Sequence, residues 1–151
     1  MSDLVKNENT SIEYLNVILA DTFVLYTKTL NCHWNVVGTL FYQLHKFFEE
    51  QYQALQEDID TIAERIRALQ AKAPATLQSF LALTTLEEIP NNLSDGDMVR
   101  ALLKDREAVT KYVRDALEKI DENDRSTTNM LEDMLEKHEE QAWMLRSILE
   151  K

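Results

Sequence analysis

The chain has 151 residues, 27 acids against 16 bases, a formal charge of −11, and only two Gly and two Pro. Average usage would give roughly 18 Gly and Pro in a chain this long, so sandwiches, barrels and βαβ folds, which need frequent turn residues, are excluded. At 44% apolar and 28% charged it is not a disordered polyelectrolyte, and a single all-α domain over residues 1–151 is expected. No apolar run approaches the ~20 residues of a spanning helix, and MSDLVKNENT lacks the basic-then-apolar pattern of a secretory signal. The lone cysteine, Cys32, cannot form an internal disulfide and fits a reducing cytoplasm, the expected location. The acidic balance argues against a nucleic-acid binder, which needs a basic stripe to displace counterions from phosphate.

Residues 1–10 are expected as a flexible N-terminal arm. The first predicted helix then runs from about Ser11 to Val37. Between Tyr14 and Tyr26 it is apolar nearly all round, through Leu15, Val17, Ile18, Leu19, Phe23, Val24 and Leu25. Such a helix is covered on two sides, by its own bundle and by a neighbouring subunit. Gly38 marks the break. The second helix, about Thr39 to Ala71, places Phe41, Leu44, Phe48, Tyr52, Leu55, Ile59, Ile62, Ile66 and Leu69 at alternating spacings of three and four. Lys72-Ala73-Pro74 ends it.

A long connection follows, in which Thr76 to Leu83 is apolar enough for a short helix. Ser94, with Asp97 three residues on, resembles a capping box opening the third long helix. The fourth, after DENDRST, runs from about Thr127 to Leu149 with Leu131, Leu135, His138, Ala142 and Leu145 on its stripe. Two long helices, a crossover and two more predict a ferritin-like four-helix bundle with one long connection.

Metal-capable residues concentrate between positions 33 and 64. His45 and Glu49 are spaced i, i+4 on the second helix, as are Asp60 and Glu64. Glu49 and Asp60 differ by about 20° around the axis, so one stripe carries both pairs, yet they lie roughly 16 Å apart along it. Ligands must come within about 2–2.6 Å of an ion. One copy of the helix therefore cannot join its own pairs. Two antiparallel copies crossing near Ala54 or Leu55 would set His45 and Glu49 of one against Asp60 and Glu64 of the other, generating two identical sites about a twofold axis. Each residue also has a plainer reading: a solvated acid, an Arg-paired Glu64, a helix-end His33 or a semi-buried His45. If they are ligands, the mixed imidazole and carboxylate set suits Fe(II), Mn(II) or Zn(II), and spacing does not choose among them.

The run from His33 to Arg65, HWNVVGTLFYQLHKFFEEQYQALQEDIDTIAER, closely resembles the signature of the Dps proteins, or mini-ferritins. Its marks are H-W-N-V, Gly38, Phe41, Leu44-His45, Phe48-Glu49, and Asp60 leading into Ala63-Glu64-Arg65. The resemblance implies a hollow dodecamer with an iron-oxidising di-iron centre at each twofold interface. It implies His33, His45 and Glu49 from one subunit facing Asp60 and Glu64 from its partner, as both catalytic and metal-binding residues. Spacing reaches the same division for the second-helix residues but does not place His33. The implied chemistry is oxidation of Fe(II), with hydrogen peroxide preferred to dioxygen, and storage of ferric mineral, protecting against oxidative stress. Trp34 matches the family's near-site tryptophan, a trap for stray oxidising equivalents or simply a packed interface aromatic.

Two departures stand out. Residues 1–10 hold one base, Lys6, against Asp3 and Glu8, and the sequence up to Lys151 brings no basic tail, so direct DNA binding is not expected. A dodecamer of chains at −11 would carry about −132. The segment that lines a threefold iron pore in relatives offers Asp121 and Asp124, but has Arg125 and Asn129 where acids are common. Glu132, Asp133 or Glu136 could restore the field, since residues 121–140 hold eight acids and two bases. An acidic solvated helix face is the alternative. His138 reads as structural and Cys32 as a buried thiol. The runner-up function is a helical shell compacting DNA through bridging Mg²⁺; a third is a cage for another divalent metal.

Overall fold

The computed structural model describes residues 3–150, the side chains of residues 3–8 excepted. Five helices follow one another: α1 (Asp3–Asn35), α2 (Phe41–Ala68), α3 (Leu77–Leu83), α4 (Asp95–Lys119) and α5 (Arg125–Leu149). No strand occurs among the described residues. α1 packs on α2 and α4 on α5, and α1 also meets α4 and α3. Two hairpins thus form a four-helix bundle, and the crossover carrying α3 runs between them. α1 begins at Asp3, so residues 3–10, expected as an arm, are its first turns; residues 1 and 2 lie outside the described residues.

α1 is apolar nearly all round because three other helices of its own chain touch it. Leu15, Ile18, Leu19 and Leu25 are wholly inside, and Phe23, on another face, stacks on Phe80 of α3 at 4.4 Å between centroids. Asp21 of α1 pins the crossover. It accepts from Thr84 Oγ1 (2.7 Å), Thr85 N (2.6 Å) and Thr85 Oγ1 (2.7 Å), so its buried carboxylate is satisfied. Lys28 does the same a little further on, pairing with Asp105 at 2.6 Å and donating to the Glu87 carbonyl.

Cap chemistry sets the helix ends. α2 stops at Ala68, short of Pro74, because Gln70 takes a left-handed φ of 69°. Ala71 N then reaches the Ile66 carbonyl and Gln70 N the Arg67 carbonyl, a Schellman closure. Thr76 caps α3 through Ser79 N. Ser94 accepts from Asp97 N as the capping reading requires, but Asp97 turns outward to Arg100 (2.9 Å), leaving the box half-formed. Asp124 caps α5.

The buried stripe of α2 runs Leu44, Phe48, Gln51, Leu55, Asp58, Ile62 and Ile66. Two of its positions are polar. Tyr52 and Ile59, taken for core by apolarity alone, are half-buried one step round the helix, and Phe41 is 44% exposed.

Candidate metal centre

His33 stands in the last turn of α1 and His45 in the second turn of α2, joined by a short link in which Gly38 adopts φ 115°. That backbone conformation is open to Gly and costly for other residues, and it brings the two helix ends face to face. His33 Nδ1 lies 2.7 Å from the His45 carbonyl oxygen, and His45 Nδ1 lies 2.7 Å from the His33 carbonyl oxygen. A carbonyl can only accept, so each Nδ1 carries the proton. The tautomer is thereby fixed, and in the neutral rings each Nε2 keeps its lone pair, the form in which imidazole binds metals. The rings stack at 3.9 Å with 12° between planes. His33 is buried and His45 half-buried.

Two aromatics frame the pair. Phe41 stacks on His45 at 5.1 Å, and Tyr52 meets His33 edge-on at 5.1 Å. Tyr52 was legible only as a stripe residue, although it lies seven residues, two turns, beyond His45 on the same face. Trp34 makes no ring contact with either histidine within the chain among the described residues. It is 69% exposed and lines an open groove of about 710 Å³ with Leu77 and Leu81, between α1 and the crossover.

Glu49 follows one turn after His45, with Lys46 Nζ 3.4 Å from its carboxylate. Asp60 and Glu64 are exposed further along α2, and among the described residues neither forms an ion pair. Arg65, next to Glu64, turns to the α4–α5 junction instead, donating to Asp124 (2.8 Å) and Thr127 (2.9 Å). Within one chain no three His, Cys, Asp or Glu side chains come together around an ion position among the described residues. The sequence-expected residues therefore fall into two groups on α2, a histidine-rich end and a carboxylate pair, which one chain does not unite.

The expected pore acids differ among themselves. Asp124 is engaged: it caps α5 and accepts from Ser11 Oγ (2.9 Å) as well as Arg65. Burial would raise its pKa, but the bonds from Thr127 and Ser11 and the nearby Arg65 charge outweigh that and hold it below the ordinary range. Asp121 accepts from Asn123 N and Nδ2. Glu132 is exposed and lines a shallow polar depression with Glu122, Asn123 and Arg125, while Glu136 is exposed one turn on.

Comparison with known proteins agrees with this architecture. A ferritin-like domain model matches residues 12–151. A low temperature-induced protein of Nostoc is 41% identical, over 92% of this chain and 79% of its own length. The DNA protection during starvation protein 2 of Bacillus anthracis is 39% identical, over 91% of this chain and 95% of its own. The crystal structure of a Dps protein from Vibrio cholerae, described as one of a superfamily of ferritin-like diiron-carboxylate proteins, superposes with a TM-score of 0.92. Its identity is 30%, covering 96% of this chain and 92% of that one. The fold is that of the ferritin-like proteins. Within that class, the chain belongs to the Dps family.

Proposed function

We propose that this chain is a ferroxidase that oxidises Fe(II) with hydrogen peroxide and stores the ferric product inside a dodecameric cage in the cytoplasm. The observation that carries the reading is the locked histidine pair, in which both Nδ1 atoms are engaged and each Nε2 keeps the lone pair a metal would take. His33, His45 and Glu49 of one chain bind the iron substrate together with Asp60 and Glu64 of a twofold-related copy. Imidazole and carboxylate donors suit Fe(II). Membership of a ferritin-like family supports iron handling in general, and the separation of the two groups on α2 supports completion by a second chain.

Two Fe(II) ions each give one electron to one hydrogen peroxide; its O–O bond breaks and two protons from solvent complete two waters. Holding two irons together keeps this a two-electron event, which avoids releasing a hydroxyl radical. Lys46 tethers Glu49 until the ion arrives, and Tyr52 and Phe41 shield the imidazoles from bulk water. The acids at residues 121–136 draw cations toward the cavity, with Glu132 and Glu136 the free contributors and Asp124 committed to the α5 cap. Purified protein should consume about one peroxide per two Fe(II), with no radical signal from a spin trap. A ratio near one to one with abundant hydroxyl adduct would instead indicate unassisted iron chemistry.

A further inference from the structure

Inside the bundle, α5 is tied to α4 and α2 through a buried polar contact that the iron chemistry does not use. Arg106 of α4 is 4% exposed and His138 of α5 3%. Arg106 Nη1 lies 3.0 Å from His138 Nδ1, and Nη2 donates to Gln51 Oε1 of α2 at 2.6 Å. Gln51 Nε2 donates in turn to Gln141 Oε1 of α5. One guanidinium therefore holds three helices.

A guanidinium has N–H donors only and keeps its proton. His138 Nδ1 is therefore the acceptor, and the neutral ring carries its proton on Nε2, the reverse of His33 and His45. A second proton on this ring has one place to go, the Nδ1 atom that Arg106 already occupies. Taking it up would remove the hydrogen bond and set two cations about 3 Å apart in a site nearly closed to water.

We propose that His138 is an acid-operated latch: its protonation breaks the Arg106 contact and releases α5 from α4 and α2. The surrounding charges give the imidazolium no relief. Lys137 of α5 and Arg106 of α4 both oppose it. The buried acids are committed to other cations, Asp58 of α2 to Lys137 at 3.2 Å and Asp105 of α4 to Lys28 of α1 at 2.6 Å. Gln51 and Gln141 are neutral. Burial, then the charges of Arg106 and Lys137, accordingly pushes the His138 pKa well below its ordinary 6.5. At His138 the folded chain then binds fewer protons than the unfolded one. Stability is lost as pH falls below about 6.5, and the loss levels off only under the lower folded value. Burial raises the Asp58 and Asp105 carboxyls, an effect of opposite sign.

Gln51 and Asp58 lie on the stretch of α2 between Glu49 and Asp60. Loosening α5 there would disturb the helix that carries both groups of proposed ligands. That consequence rests on the proposed function; the latch does not.

The test compares metal-free wild type with His138→Gln, whose amide oxygen can accept from Arg106 but takes up no proton. Urea unfolding is followed from about pH 7.5 to 4.5 at fixed protein concentration. Below pH 6.5 the wild-type folding constant should fall up to about tenfold per pH unit, per chain, relative to the variant. Asp58 and Asp105 are common to both proteins. Amide hydrogen exchange, corrected for its intrinsic pH dependence, should show α5 losing protection around residue 138 in wild type alone. Parallel profiles in either measurement would overturn the proposal. Should His138→Gln not fold, exchange of the histidine C2 hydrogens in wild type, read by mass spectrometry, decides. His138 should show no titration near pH 6.5, and an ordinary midpoint there would overturn the latch. No readout involves iron, so failure of the ferroxidase reading is told apart from failure of this one.

Discussion

His33 and His45 each donate from Nδ1 to the other's main-chain carbonyl oxygen at 2.7 Å, so neither ring is positioned independently of the other residue. Their 3.9 Å stack adds to the coupling. Replacing either histidine by Ala leaves the main-chain carbonyl that holds the other ring but removes a proposed ligand and the ring stacked at 3.9 Å against it. Each single change should slow Fe(II) oxidation about 10–100-fold, with the double change costing little more than the worse single. Initial rates for the four proteins measure this, and effects that simply multiply would mean two independent ligands.

Gly38 makes the turn that brings those rings together, at φ 115°. The space beside it is adequate, since an added Cβ would sit 3.6 Å from Asp95 Oδ2. Any penalty is therefore in the backbone. Gly38→Ala should cost about 1–2 kcal/mol and lower the melting temperature by roughly 2–8 °C. An unchanged melting temperature would contradict this account of the turn.

Asp124 joins three elements: it caps α5 and accepts from Ser11 of α1 and Arg65 of α2. Its pKa is lowered on folding, so it binds fewer protons folded than unfolded. Its contribution is then present above the ordinary carboxylate pKa and fades as pH falls through the lower folded value. Asp124→Asn should cost about 1 kcal/mol at neutral pH, and that difference should shrink in denaturant melts repeated below pH 4. A gap independent of pH would show that the charge plays no part.

The net charge of −11 per chain opposes phosphate. A mobility-shift assay at about 150 mM salt without added divalent cations should show free DNA only. A shift restored by Mg²⁺ would reveal bridging through the acidic surface, and a shift without it would contradict this reading.

Much of the architecture is written in the 3.6-residue repeat, because long helices with one buried face leave a periodic record. Helix ends are written less plainly. Gln70 takes the left-handed position usually given to Gly, so α2 closes before its proline, and no residue type announces that. Gln51 and Asp58 are buried because Arg106, Gln141 and Lys137 reach them from other helices, contacts that apolar patterning does not register. At the candidate site, spacing placed Glu49, Asp60 and Glu64 on one helix. The mutual clasp of His33 and His45 depends on main-chain carbonyls, which carry no sequence signal. Family resemblance was needed to place His33, while Trp34, read as a near neighbour, faces the α1–α3 groove within its own chain.

In the proposed assembly each iron site takes its histidines from one chain and its Asp60 and Glu64 from another. The most direct measurement mixes two inactive variants, His33→Ala/His45→Ala and Asp60→Asn/Glu64→Gln, by joint unfolding and reassembly. Only mixed pairs contain an intact site, one of their two, so an equal mixture should recover about one quarter of wild-type Fe(II) oxidation. Mixtures no more active than the separate variants, in cages shown by native mass spectrometry to contain both chains, would contradict the shared site.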